Sequence, residues 1–408
     1  MVYKGPRSGW GDVTVRNGFK IFDADAHVIY PADLWSRYLD TRYVGRVGSK
    51  QPVPGFETYN PVTVDGRWTQ HDTILYGQFQ KYIDWTKDDM IAQYGEELVL
   101  DGFTGDRVAN ALARDGIDLS VIYGPEYDLW FEGIDPDLQA AMVRAYNRWG
   151  ADMRATSGGR VHTAGPVPLN DVTRAVAEIE HAYHHLGIRA FWARPDEFNH
   201  RTLGDRYYDP VWELIQDLDV PFSTHEFMGL RGNSFGSDRF RGYSEWHTVV
   251  HPFEAMGAMV SMICHGVYER FPRLRVAYLE AGCGWLPSWL HRIDEHLEAA
   301  GAREFPELTM SATDYFTRNC WISTECEDPF VSDVIRWMGD ERILFESDFP
   351  HPDSKFPHAS ETFLSLLPEQ ISNDSKRRIL WDNPVDFYRF PDEYLPSEFN
   401  EGSAPVGA

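Results

Sequence analysis

Eight short apolar runs, each rich in β-branched or aromatic residues, punctuate the chain. They are FKIFDAD near 19–25, IDLSVIYG at 117–124, RVHTAGPV at 160–167, IRAFWAR at 188–194, DVPFSTH at 219–225, LRVAYLEAG at 274–282, NCWISTE at 319–325 and RILFESD at 342–348. Between most of them the apolar residues recur at helical spacing. The clearest such segment, DVTRAVAEIEHAYHHLG at 171–187, opens on an aspartate cap and closes on glycine. YDPVWELIQDLD precedes the fifth run, and GWLPSWLHRIDEHLEAAG and DPFVSDVIRWMGD follow the sixth and seventh. Strand and helix alternating eight times predict an α/β fold, a parallel sheet closed into a (β/α)8 TIM barrel. The main competitor, a doubly wound sheet, usually carries a Gly-rich phosphate loop after its first strand; this chain does not.

The first unit is irregular. Roughly ninety residues separate the first run from the second, and the stretch 28–116 mixes turn residues with many rings. It reads either as an elaborated first βα loop over the catalytic mouth or as a dimerisation arm. The barrel domain is expected to span 1–395, with 396–408 as a flexible tail. The surplus of Trp and Tyr in 54–85 predicts a homodimer or larger assembly.

Composition narrows the partners. The chain has 408 residues, 43% hydrophobic, with 14 Trp, ample for a large core. Its 38 basic and 63 acidic residues leave a net charge of −25, which argues against nucleic acid and anionic membranes and leaves a small molecule as the expected partner. Four cysteines without a CxxC pair predict reduced thiols rather than a disulfide or zinc-ribbon scaffold. MVYKGPRSGWGDVTV lacks an apolar signal core and no 18-residue apolar run occurs, so a soluble cytoplasmic protein is expected.

In a barrel of this kind the chemistry sits at the C-terminal ends of the strands. Asp23, Asp25 and His27 recur at period two and share one face. The fifth run ends in Thr224-His225-Glu226, the sixth carries Glu280, and the eighth ends in Ser347-Asp348-Phe349-Pro350-His351. Each residue alone has a bland reading, as a cap or an ordinary strand-end side chain. Together they form a mixed N/O donor set suited to one divalent ion, zinc first, with manganese or iron as alternatives. Such an ion lowers the pKa of bound water from ~16 toward ~7. His351 can orient Asp348 or touch substrate, Glu226 can support His225, and Arg194 can pair with a substrate carboxylate or a surface acid.

This order of motifs resembles the amidohydrolase superfamily, and within it the group that includes aminocarboxymuconate semialdehyde decarboxylase and γ-resorcylate decarboxylase. The resemblance runs from IFDADAHV to RRILWDNPVDFYRF, through ALARDGIDLSVIY, HHLGIRAFWARP, GVYERFPRLRVAYLEAGCGWLP and ILFESDFPHPDS. It implies metal ligation by Asp25, His27, His225 and Asp348, with Asp348 also handling a proton, and a single metal because no carbamylated lysine belongs to the pattern. Two positions depart from it. Asp25 stands where the family has His or Glu, and Leu279-Glu280-Ala281-Gly282 stands where the decarboxylases carry H-x-G-E.

The second departure shapes the functional expectation. A protonated imidazole delivers a proton to carbon near neutral pH, whereas a carboxylate beside a cation is a poor acid. Glu280 is therefore read as a general base, a fifth ligand or a structural carboxylate. The main expectation is a hydrolase in which metal-activated water attacks an amide, ester, thioester or C–C carbonyl, with Asp348, Glu280 and His225 in the catalytic machinery. The alternatives are a non-oxidative decarboxylase of an aromatic or unsaturated acid, and a non-catalytic binding protein on a barrel scaffold.

Overall fold

All eight apolar runs carry parallel strands. Their β-branched and aromatic residues suit a sheet buried on both faces, and the strand residues are buried almost without exception. The strands are β1 (Phe22–Ala26), β2 (Leu119–Ile122), β3 (Val161–Thr163, continuing through Gly165–Pro166), β4 (Phe191–Ala193), β5 (Phe222–Thr224), β6 (Val276–Tyr278), β7 (Cys320–Glu325) and β8 (Ile343–Glu346). The computed structural model describes residues 18–29, 31, 33–49, 62–68, 87–124, 129–130, 133–227, 234–240, 242–351, 354–366 and 371–400.

The strands form two parallel sheets, β1-β2-β3 and β8-β7-β6-β5-β4-β3. β3 belongs to both: Val161–Thr163 pairs with β2, and Gly165–Pro166 pairs with β4. Past the ends of β1 and β8, Asp348 N donates to Asp25 O at 3.2 Å and His27 N donates to Phe349 O at 2.5 Å. The β1–β2 register shifts between Asp23 and Ala26, a bulge that re-aims side chains where Asp25 and His27 lie. Buried apolar side chains from Ile21 to Tyr388 form one continuous core.

Helices lie where the periodicity places them. Val172–His181 begins at Asp171, whose side chain accepts from Arg174 N at 3.0 Å, and its last turn ends at Gly187 with φ +69°. Asp209–Asp217, Leu286–His296 and Val331–Met338 match the other three segments. Within 28–116 the described residues include a small antiparallel sheet (Val47–Ser49, Val62–Val64, Arg67–Trp68) and the helices Lys87–Tyr94 and Gly105–Asp115. Tyr94 donates to Pro350 O at 3.1 Å, so this stretch packs on the loop after β8. The aromatic region 54–85 lies mostly outside the described residues. Of the expected tail, Ser397–Asn400 forms a helical turn with Phe399 against Trp381, and 401–408 lie outside the described residues.

The loop after β8 is also held from its far end. Asp115 is fully buried and accepts from Ala359 N (2.8 Å) and Ser360 N (3.0 Å), capping the helix Ala359–Leu366 from a distant part of the chain. Asp115→Ala leaves these donors buried without an acceptor, and we expect urea denaturation to show a loss of about 2–4 kcal/mol.

Candidate active site and metal centre

The strand ends bring the expected donors together in two overlapping clusters. Asp25, His27, His225 and Glu280 form one; His27, Asp348, His351 and Glu280 form the other. In each, one ligand atom per residue lies within 4.8 Å of all the others. His225 Nε2 stands 3.0 Å from Asp25 Oδ2 and 2.8 Å from Glu280 Oε2. His27 Nε2 stands 3.2 Å from Asp348 Oδ1 and 3.6 Å from Asp25 Oδ1. His27 Nδ1 faces Tyr123 O at 3.2 Å, a contact that places the lone pair on Nε2, toward the carboxylates.

Burial governs the charges. It holds His225 down at about 3, and with His351 it lowers His27, so both imidazoles stay neutral and able to ligate. Burial, helped by the neighbouring Asp348 carboxylate and opposed by His27, raises Asp25 well above the usual carboxylate range. Burial also pushes Asp348 up, but His351 and His27 outweigh it and hold that carboxyl well below its ordinary value. His351 Nδ1 lies 2.6 Å from Asp348 Oδ1, and its ring stacks on His27 at 4.3 Å.

Asp25 Oδ1 and His225 Nδ1 and Nε2 are buried and make no hydrogen bond. Convergent donors buried in this way carry a large uncompensated cost, and a divalent cation satisfies them together. The residues fit a metal. Glu280 (φ +46°) and Asp348 (φ +55°) both hold left-handed backbone, a strain of about 1–3 kcal/mol per residue that clusters at functional sites. Glu280 N donates to Ser323 Oγ at 3.1 Å and Glu346 Oε2 at 3.2 Å, which fixes the turn.

Other residues fall differently. Glu226 and Arg194 are each about 1% exposed and pair with one another. Arg194 Nε also donates to Asp196 at 3.0 Å, so two acids already hold its fork. His265 is exposed, away from these clusters. Cys283 donates from N to Asp328 at 3.0 Å, and all four cysteines are free and buried. Among the described residues, no helix is long and apolar enough to cross a membrane.

Two residues went unread in the sequence. His251 Nδ1 lies 3.1 Å from Glu280 O and 3.4 Å from Glu280 Oε1, with His247 beside it. Both stand on the helix Tyr243–Cys264, and their i,i+4 spacing was the only signal. An imidazole thus reaches the sixth-strand carboxylate after all, from another element. His251 is held neutral by burial and by the neighbouring His247 and His225.

Glu254, on the same helix, accepts from Phe235 N at 2.6 Å. Burial and then Asp196 raise it from 4.5 to about 8. Unfolded, it ionises near its ordinary value, while the folded chain keeps the proton. Stability is therefore fully present below about 4.5 and falls as pH rises toward about 8. Glu254→Gln lacks this slope, and we expect it to exceed the wild type by roughly 2–4 kcal/mol at pH 8, read from urea curves.

The amidohydrolase family profile matches residues 132–390. The chain is 26% identical over 260 residues to the gamma-resorcylate decarboxylase of Polaromonas sp. (strain JS666), covering 60% of this chain and 76% of that one. It is 24% identical over 296 residues to the 2-amino-3-carboxymuconate-6-semialdehyde decarboxylase of Dictyostelium discoideum, covering 70% and 76%. An amidohydrolase structure from Mycobacterium avium subsp. paratuberculosis superposes with a TM-score of 0.69 at 21% identity, over 91% of this chain and 99% of that one, a likeness of fold. With a profile match across well over half its length, the chain belongs to the amidohydrolase family.

Proposed function

We propose that this chain is a metal-dependent, non-oxidative decarboxylase of a small aromatic or unsaturated carboxylic acid. The relatives' decarboxylase names support this reading over hydrolysis. The observation in the molecule that carries it is the Asp348–His351 pair, whose 2.6 Å contact sets an ionised carboxylate against an imidazole at the metal cluster. We take the two sheets, joined through β3 and by the β1–β8 hydrogen bonds, to be one (β/α)8 barrel. The stretch 28–116 then elaborates the first loop above its mouth.

Asp25, His27, His225 and Asp348 would hold one divalent ion, zinc, manganese or iron. When bound, it supplies positive charge to fix the substrate carboxylate and an adjacent oxygen. The chain's own residues do the rest. Loss of CO2 leaves an electron pair on the substrate carbon, and His351, steadied by Asp348, returns a proton to that carbon. His27 stacks under His351 and keeps its ring in line. We take the chain to work as a cytoplasmic homodimer on small molecules.

Glu280 favours a second reading. Its carboxylate lies 2.8 Å from His225 Nε2, where it could take a proton from water during hydrolysis. Assaying metal-loaded protein on a panel of aryl carboxylates, esters and amides separates the two. CO2 release that is quenched by chelator is expected. Hydrolysis of the panel without any CO2 would return Glu280 to the role of general base.

A further inference from the structure

We propose that Tyr123 is the positioning residue for two metal-ligating histidines, His27 and His225, and that the hydroxyl of Tyr388, on the C-terminal helix Asn383–Tyr388, locks Tyr123 in place. Metal affinity then depends on a hydroxyl outside the ligand set, from the far end of the chain. The inference rests on His27 and His225 being ligands and is independent of which reaction the metal serves.

Tyr123 directly follows β2 and is about 1% exposed. Its N–H donates to Ala26 O at 2.9 Å, and its own O faces His27 Nδ1 at 3.2 Å. One residue thus holds the backbone just before His27 and fixes the tautomer of that imidazole. The Tyr123 ring lies nearly parallel to that of His225, with centroids 5.6 Å apart and planes at 16°. Tyr123 therefore touches two imidazoles that come from different strands, one past β1 and the other past β5. A shift of Tyr123 displaces two ligands at once.

A run of buried hydroxyls fixes Tyr123. Its Oη lies 3.0 Å from Ser223 Oγ, two residues before His225, and 2.8 Å from Tyr388 Oη. Tyr388 in turn donates to Ala24 O at 2.7 Å, in β1 just before Asp25. The run ties the C-terminal helix to the strands that carry the ligands, and in a buried core such linked bonds enforce a single geometry. Tyr388 has little freedom of its own. Its ring stacks on Phe22 at 5.1 Å and on Phe390 at 5.2 Å. Its helix is pinned by Asn383 Nδ2, which donates to Asp340 O at 2.6 Å and to Ile343 O, in β8, at 2.8 Å. The competing explanation is an ordinary core hydroxyl pair with no bearing on the metal. Tyr268 and Tyr278 form such a pair, their hydroxyls 3.0 Å apart, between the helix Val267–Arg270 and β6.

The test compares metal affinity with stability. Full-length protein is stripped with chelator and titrated with MnCl2, free Mn2+ being read by electron paramagnetic resonance; urea curves of the metal-free protein give the stability. Tyr388→Phe keeps the ring and removes only the hydroxyl. It should bind Mn2+ about 10-fold or more weakly, the usual cost of losing a group that orients a ligand. Tyr123→Phe removes the other partner of the same bond and should match it. Tyr268→Phe should shift the urea midpoint by a similar amount and bind Mn2+ as the wild type does. Circular dichroism checks the fold of each variant, and Tyr123→Phe carries the test if Tyr388→Phe does not fold. Wild-type affinity in both Tyr388→Phe and Tyr123→Phe, beside the loss in His225→Ala, would overturn the positioning role and leave the ligands standing. Equal weakening in Tyr268→Phe would also overturn it, as a general loosening of the core. Wild-type affinity in His225→Ala would overturn the ligand assignment, and the positioning role with it.

Discussion

His225→Ala is expected to lose the catalytic metal and to lower turnover by about 10³-fold or more, with the fold retained. His225 is fully buried, and its Nε2 sits between Asp25 and Glu280 at 3.0 and 2.8 Å. Alanine removes a neutral ligand and leaves Asp25 and Glu280 facing one another across a gap. Burial already raises Asp25, so without a cation it takes up a proton instead of ligating. Elemental analysis of the purified variant reads the loss directly, and circular dichroism reports the fold. Full metal content as isolated would contradict the ligand assignment.

The second large effect is at Asp348. Asparagine keeps the shape and one oxygen but not the charge that holds His351 at 2.6 Å. Proton transfer by a positioned side chain is worth about 10²–10⁴-fold, and Asp348→Asn should lose kcat by that range while retaining metal. His351→Gln should lose less and flatten the alkaline side of the kcat–pH profile, because the group that gives up the proton must carry it. A change confined to KM in both variants would assign the pair to binding alone.

The strands and the metal donors were legible because their signals are local. Apolar runs of β-branched residues mark the strands, and Asp25, His27, His225 and Asp348 close those runs. What joins them was not local. Arg194 read as a partner for a substrate carboxylate or a surface acid and Glu226 as a support for His225, yet they bind each other across 32 residues. The expectation of hydrolysis rested on the missing sixth-strand histidine. The relatives favour decarboxylation, and the proton accounting was incomplete: His351 stands against Asp348, and His251 reaches Glu280 from a helix whose long apolar run hid its His-x3-His spacing. The positive φ of Glu280, which turns its carboxylate into the site, leaves no mark in a Leu-Glu-Ala-Gly string. The small sheet and the helix Lys87–Tyr94 within 28–116 depend on contacts far along the chain, such as Tyr94 to Pro350, and lack a clear period.

Decarboxylation makes one demand that hydrolysis does not: a proton from solvent must end on the carbon that lost CO2. Metal-loaded protein incubated in D2O with 2,6-dihydroxybenzoate or a related aryl carboxylate, followed by NMR, tests this directly. The expected product carries one deuterium at that carbon, formed in step with CO2, and none forms with Asp348→Asn beyond its residual rate. Aryl carboxylates recovered intact, while an ester or amide of the same ring is cleaved by the same metal-loaded sample, would contradict the account.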